Sequence, residues 1–341
     1  MESLTKRRLD CVQLEAAVAR ALGGDVRVSA VDELPEGMFN AVYRVCLQPG
    51  DRSVVVKSSP PAQVPLLTYE RDILRTEAAF YQRASEVPGL PVPEVLACDF
   101  TRKHFDGDLL FLSFLEGQGW HQLHEQLDAG DERRLRRDLG GILRGLHTVR
   151  GKSFGYFQPG AARASTWRSA FVAMVDDVLA DATRFGVNLP VAGHAIRSVI
   201  GKHESLLESV EEPALVHFDA WEGNILLAQR DGRFEISGLI DGERAIWADP
   251  VADFVSPALF GDIADDPDFL AGYAGADASP FEITAAIGAR LAMYKAYLDL
   301  VIIVEAAPRG YDAAERADVL RLATEDLHRC LDRLARHPRR D

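Results

Sequence analysis

The chain has 341 residues, of which 47% are hydrophobic and 26% charged, the balance of an ordinary globular protein long enough for one large domain or two lobes. A formal net charge of −14 argues against sequence-independent binding of nucleic acid, which needs a basic surface to neutralise phosphates. Acidity of this size suits solubility first and a cationic substrate second.

The opening "MESLTKRRLD" is basic but is followed by no apolar run, so no secretory signal is expected. Cys11, Cys46, Cys98 and Cys330 are scattered without metal or redox spacing, which suits free, mostly packed thiols in a reducing cytoplasm. "FNAVYRVCLQ" and "SVVVKSS", joined by "PGDR", alternate as strands across a Pro-Gly-Asp turn and predict an antiparallel hairpin. A helix follows over "LTYERDILRTEAAFYQRAS", bounded by two prolines before it and "VPGLPVPEV" after it. "DLLFLSFLEG" reads as one more buried strand ending at Gly117. Beyond about residue 115 the pattern turns helical, as in "ERRLRRDLGGILRGLH", "TWRSAFVAMVDDVLADATRF" and "ARLAMYKAYLDLVIIVEAA". Lys295, Asp299 and Glu305 interrupt the last of these, so it is expected to be a core helix and not a membrane span. An island of strand signal, "ALVHFD", "NILLA" and "FEISGLID", lies within the helical part, and no internal repeat or long linker is visible.

That island carries the chemistry. His217, Asp219 and Asn224 fit H-x-D-x-x-x-x-N, and Asp241 ends the strand "ISGLID". Phosphoryl transfer needs one carboxylate to orient and deprotonate an attacking hydroxyl, and oxygen ligands for magnesium on the nucleotide phosphates. Asp219 suits the first task, and Asn224 with Asp241 the second. Lys57, ending "VVVK", is spaced to reach phosphates, and Glu77 on the next helix to hold it.

In "FNAVYRV", "VVVK", "TEAAFY", "SFLEG", "VHFDAWEGNILL" and "LIDGERAIWADPVADF", the chain resembles the aminoglycoside phosphotransferase family, small-molecule kinases of the protein-kinase-like fold, over roughly residues 30 to 260. The resemblance implies an α+β, bilobal fold. Residues 1–112 would form a small antiparallel-sheet N-lobe with one helix, 113–118 a hinge, and 119–341 a larger, mainly helical C-lobe. It further implies that Asp219 is the catalytic base, that Asn224 and Asp241 hold Mg2+, and that Lys57 contacts the phosphates of ATP, with GTP as the alternative, and pairs with Glu77. Gly37 and Asn40 would belong to the phosphate loop. Backbone groups at Ser113, Phe114 and Leu115 would hold the adenine. His217 would organise the catalytic loop, with Asp249 and Asp253 bracing it from behind. The activity so implied is transfer of the γ-phosphoryl group to a hydroxyl of a small molecule. An antibiotic acceptor leads, with resistance as the outcome. A metabolite kinase acting on a sugar, amino sugar or choline-like alcohol is the alternative, and a nucleotide-binding pseudokinase the second. No nucleic-acid or membrane partner is expected. "GERAIWADPVADF" follows Asp241 almost at once and leaves no room for the activation segment on which protein kinases seat peptides.

Some features depart from that pattern or have plainer readings. The phosphate loop "LPEGMFNAVYRV" holds a single glycine, Gly37, and Ala220 follows the catalytic Asp where relatives commonly have Leu. Glu70 lies seven residues before Glu77 and competes with it as partner of Lys57. His121 and His124 in "WHQLHEQL" are expected at a surface or cap and not on a metal. Gly140 and Gly141 lie in a helical pattern and suit close helix packing, not dinucleotide binding. The run "GDIADDPDFL", with Asp262, Asp265, Asp266 and Asp268, suits a solvated loop before a cation trap. Trp120, Trp247, Tyr294 and Tyr297 are expected in the core.

Overall fold

The structure is a computed structural model and describes residues 5–34, 39–50, 52–61, 63–158, 160–311 and 313–337. Its first part is one antiparallel sheet of β1 (Arg27–Glu33), β2 (Ala41–Gln48), β3 (Arg52–Ser58), β4 (Val95–Asp99) and β5 (Leu109–Ser113), in the order β1-β2-β3-β5-β4. The β2–β3 hairpin forms at the expected turn and sets Val42 opposite Lys57. Strand alternation then sorts the side chains. Tyr43, Val45, Val54, Val56, Leu109 and Phe111 pack on one face against α1 (Cys11–Leu22), while Leu110 and Leu112 join the core under α2 (Ile73–Ala84) on the other. Helix α1, capped by the Asp10–Gln13 box, was not anticipated. Helix α2 is shorter than its pattern, because Asp72 adopts a left-handed conformation (φ 52°) and leaves Glu70 in a separate 3-10 turn, Thr68–Glu70.

The second part is mainly helical: α3 (Ala129–Leu146), α4 (Trp167–Arg184), α5 (Gly193–Gly201), α6 (Pro267–Ala274), α7 (Ala285–Arg309) and α8 (Ala313–Arg336). Two small sheets sit among these helices. One has the order β10 (Arg233–Leu239), β9 (Ile225–Arg230), β6 (Gln118–Gly119), and the other β7 (Gly155–Tyr156), β11 (Ile246–Ala248), β8 (Ala214–Val216). The polar segment after β8 is thereby suspended between two sheets. Helix α7 is buried along most of its length, and Trp120, Trp247, Tyr294 and Tyr297 are core residues as expected. Among the described residues no helix is long and apolar enough to cross a membrane. The cysteines are free, but Cys330 alone is buried, and Cys11 and Cys98 are exposed, contrary to the expectation of mostly packed thiols.

The two neighbouring glycines of α3 have different jobs. A Cβ on Gly140 would stand 2.3 Å from the carbonyl oxygen of Phe269 and 2.6 Å from the amide nitrogen of Tyr273, both backbone atoms of α6. At Gly141 the nearest such atom is 4.0 Å away. Gly140→Ala is therefore expected to cost about 1–3 kcal/mol through overpacking, whereas Gly141→Ala should stabilise by about 0.5–1 kcal/mol through helix propensity. Urea melts of the two variants would separate packing from propensity; equal effects would refute the assignment.

Candidate functional site

The pleat of β3 turns Lys57 toward α2, where its ammonium lies 2.7 Å from Glu77 Oε1 and 2.5 Å from Asp241 Oδ1. Tyr81, one turn beyond Glu77, donates its hydroxyl to Glu77 at 2.8 Å and accepts the Asp241 amide at 2.8 Å. Glu70 points elsewhere, to Arg309 at 2.6 Å, so Glu77 is the lysine's partner. Burial alone would favour neutral lysine; Asp241 and Glu77 outweigh it and hold the ammonium well above its ordinary pKa. Burial likewise opposes the Asp241 charge, and Lys57 reverses that and lowers its pKa.

After β8 the chain must turn sharply, and Phe218 does so with φ 64°. Asp253 holds this turn from below. Its carboxylate accepts the amides of His217 at 3.0 Å and Phe218 at 2.6 Å and contacts His147 Nε2 at 2.8 Å. His217 is buried, which lowers its pKa. Its Nδ1 accepts the Asp219 amide at 3.2 Å, so Nε2 carries the proton and donates to the Ile240 carbonyl at 2.9 Å. The histidine thus stitches the loop to the strand end that bears Asp241. Asn224 closes the loop by donating Nδ2 to the Asp219 carbonyl at 2.8 Å, and its own carbonyl accepts the Ile240 amide at 2.9 Å. Ser256 accepts the amide of Ala220 at 2.9 Å. Asp249 does not brace the loop directly: it bonds Arg290 and Tyr294 of α7, each at 2.8 Å.

Asp241 sits at φ 64°, and Gly242 follows it closely packed on Phe80, where a Cβ would approach the ring to 2.1 Å. Glu243 then reaches back across the cleft and accepts from Asn40 Nδ2 at 2.7 Å. Oxygens of Glu77, Asp241 and Glu243 lie within 4.8 Å of one another. Asn224 uses its amide nitrogen internally, which leaves its side-chain oxygen to bind elsewhere. An oxygen-only donor set of this kind suits magnesium. Gly37 lies outside the described residues.

Beside Lys57 a cavity of about 310 Å³ runs under the sheet, with Val42, Val55, Leu112, Phe114 and Leu226 on its walls. Ser113 and Leu115 also line it. Ser113 is tied to the Glu94 backbone through both its amide, at 2.9 Å, and its hydroxyl, at 2.8 Å.

The sequence reading missed the cation beside Asp219. Arg244 Nη1 lies 3.3 Å from Asp219 Oδ1, and Nη2 lies 2.9 Å from Glu305 Oε2 on α7. Glu305 in turn contacts Arg309 at 3.0 Å. Burial raises the Asp219 pKa and Arg244 partly offsets this. A base acts only when deprotonated, so Arg244→Met, which removes the offset, is expected to move the acidic limb of the kcat profile to higher pH. A pH profile unchanged from wild type would exclude this role. The acidic run after Gly261 is largely neutralised: Arg136 pairs Asp266 at 2.5 Å, Arg333 pairs Asp262 at 3.0 Å, and Arg137 pairs Asp268. His124, read as a surface histidine, is exposed and lies between Glu132 and Glu222.

The model of the phosphotransferase enzyme family, APH, matches residues 31–294. No curated protein matches the chain. Among solved structures, a candidate fructosamine-3-kinase from Thermobifida fusca is 23% identical with a TM-score of 0.64, covering 92% of this chain and 98% of its own. A thermostable mutant of aminoglycoside phosphotransferase APH(4)-Ia, in ternary complex with ADP and hygromycin B, is 17% identical with a TM-score of 0.63, over 94% and 98% of the two chains. A GDP complex of a point mutant of aminoglycoside 2'-phosphotransferase-IIIa is 14% identical with a TM-score of 0.59, over 96% and 98%. At these identities the three structures share the bilobal α+β fold, and the family match spans both the sheet and the helical part. The chain belongs to the APH phosphotransferase enzyme family.

Proposed function

We propose that the protein is an ATP-dependent O-phosphotransferase that moves the γ-phosphoryl group to a hydroxyl of a small molecule in the cytoplasm. The observation that carries this reading is the convergence of Lys57, Glu77, Asp241, Asn224 and Asp219 at one end of an apolar cavity. Residues 1–112 serve as the nucleotide lobe, 113–118 as the hinge and 119–341 as the acceptor lobe. The adenine enters the cavity, and because Ser113 is engaged with Glu94, the backbone of Phe114 and Leu115 takes its polar edge. Lys57, held by Glu77, meets the phosphates, and Asn40, steadied by Glu243, lines their loop. Asn224 and Asp241 hold magnesium, which when bound neutralises charge on the phosphates. Asp219 orients the acceptor hydroxyl and takes its proton as the new P–O bond forms. The bond to the bridging oxygen breaks in line, and ADP leaves with the electron pair. No covalent phosphoenzyme is required.

An antibiotic hydroxyl, with resistance as the outcome, fits the company of structural neighbours. Arg244 beside Asp219, together with the paired acidic run, favours an uncharged or acidic acceptor over a polycationic aminoglycoside. The metabolite-kinase reading, on a sugar-like alcohol, gains from the same observation. The deciding experiment is coupled ADP release with MgATP or MgGTP across aminoglycosides, uncharged hydroxylated antibiotics, sugars, amino sugars, hydroxy acids and amino alcohols. Turnover abolished by Asp219→Asn supports the kinase and names its substrate class. Silence across the panel with MgATP still bound would favour a pseudokinase.

A further inference from the structure

Away from the catalytic loop, the packed pair α7 and α8 encloses a second group of ionisable side chains. Asp299, on α7, is 2% exposed, and among the described residues its Oδ2 has no hydrogen-bond partner. A buried carboxylate oxygen left in this way is costly unless a proton or a cation meets it. The facing surface of α8 presents Asp326 and Cys330, four residues apart and therefore on one face, both buried. One ligand atom from each of Asp299, Asp326 and Cys330 lies within 4.8 Å of the other two. Lys295 Nζ stands 2.9 Å from Asp326 Oδ2, and Arg329 donates to Oδ1 at 2.8 Å. Lys295 also donates to the Gly261 carbonyl, so its ammonium keeps a partner if Asp326 turns. A cavity of about 390 Å³, lined in part by Lys295, Asp326 and Cys330, adjoins the cluster.

We propose that Asp299, Asp326 and Cys330 form a binding site for a divalent cation of the zinc class, separate from the catalytic centre and clamping α7 to α8. The ligand set decides the class. A thiolate with two carboxylates suits borderline-soft ions such as Zn2+ and Co2+, whereas magnesium and calcium demand oxygen throughout. Two ligands at successive turns of one helix and a third from its neighbour supply three corners of a tetrahedron, and the adjoining cavity admits a water for the fourth. Binding exchanges the thiol proton of Cys330 for a metal–sulfur bond, the proton passing to solvent. Occupancy bears on the active site through α7, whose last turn carries Glu305 and Arg309 to Arg244 and Glu70.

The test is a titration of the full chain with Co2+, with the exposed Cys11 and Cys98 replaced by Ser to remove adventitious thiols. One equivalent should produce a thiolate-to-cobalt charge-transfer band in the near ultraviolet, which excess Zn2+ bleaches. The catalytic oxygens cannot give that band, so catalytic-site binding does not imitate it. Cys330→Ser should abolish the band, and Asp299→Asn should weaken binding by at least about tenfold. Zn2+ should raise the melting temperature of the parent chain by more than that of Asp299→Asn at the same zinc concentration. Absence of the band in the folded parent chain overturns the proposal, as does a band that survives Cys330→Ser. An Asp299→Asn variant that is more stable yet titrates identically with Co2+ overturns it too, and identifies Asp299 as a neutral buried acid.

Discussion

Asp219→Asn is expected to lower turnover by roughly two to four orders of magnitude, the usual scale for lost acid–base help, with folding and MgATP affinity intact. The side chain is half-buried beside Arg244, and an amide of the same shape still offers that guanidinium an oxygen. The loop does not depend on the carboxylate either, because it is held through backbone groups. Asp253 accepts the amides of His217 and Phe218, His217 accepts that of Asp219, and Asn224 donates to the Asp219 carbonyl. The substitution therefore removes proton acceptance and little else. Single-turnover transfer alongside calorimetric titration with MgATP separates chemistry from binding. A variant turning over within about tenfold of the parent, below the range expected for a lost general base, would show that the base lies elsewhere. One that loses MgATP affinity in parallel would show that Asp219 belongs to the nucleotide site.

Much of the framework was legible because it is local. Alternation in "VVVK" and a Pro-Gly-Asp turn suffice to specify the β2–β3 hairpin and the face on which Lys57 emerges. Spacing alone could not choose between Glu70 and Glu77, since both occupy the same face of an uninterrupted helical pattern, and the preference for Glu77 rested on the resemblance. The interruption comes from the left-handed Asp72, and the destination of Glu70 is an arginine 239 residues away. The guanidinium at Asp219 was invisible for a similar reason. Arg244 stands in a motif scanned for its aspartates, and Glu305 read only as a charge that breaks an apolar run. The acidic loop was read as a solvated loop first and a cation trap second, and what the sequence did not show is that arginines from α3 and α8 neutralise much of it. Ion pairs across such separations leave no periodic trace. Helix α1 was missed although its capping box was present, because a lone amphipathic turn sequence carries no signal of what it covers.

The largest loss of stability is expected at Asp253, which the resemblance marked as a brace. Its side chain is fully buried and takes two amides at 3.0 and 2.6 Å besides contacting His147 at 2.8 Å. Asp253→Ala strands those amides and the imidazole together, in a place water does not reach. Each buried polar group left unpaired costs about 1–3 kcal/mol. These overlap, so about 3–5 kcal/mol is expected for the whole, measured as a lower urea midpoint. Asp253→Asn retains one acceptor oxygen and should lose less. Because Phe218 must hold φ 64° for Asp219 to face the cleft, the folded fraction of Asp253→Ala should also turn over more slowly at saturating MgATP. A loss below about 1 kcal/mol, the scale of a single ordinary hydrogen bond, with full turnover would mean that the turn holds itself. In that case His217 and Asn224, not Asp253, set the position of the base.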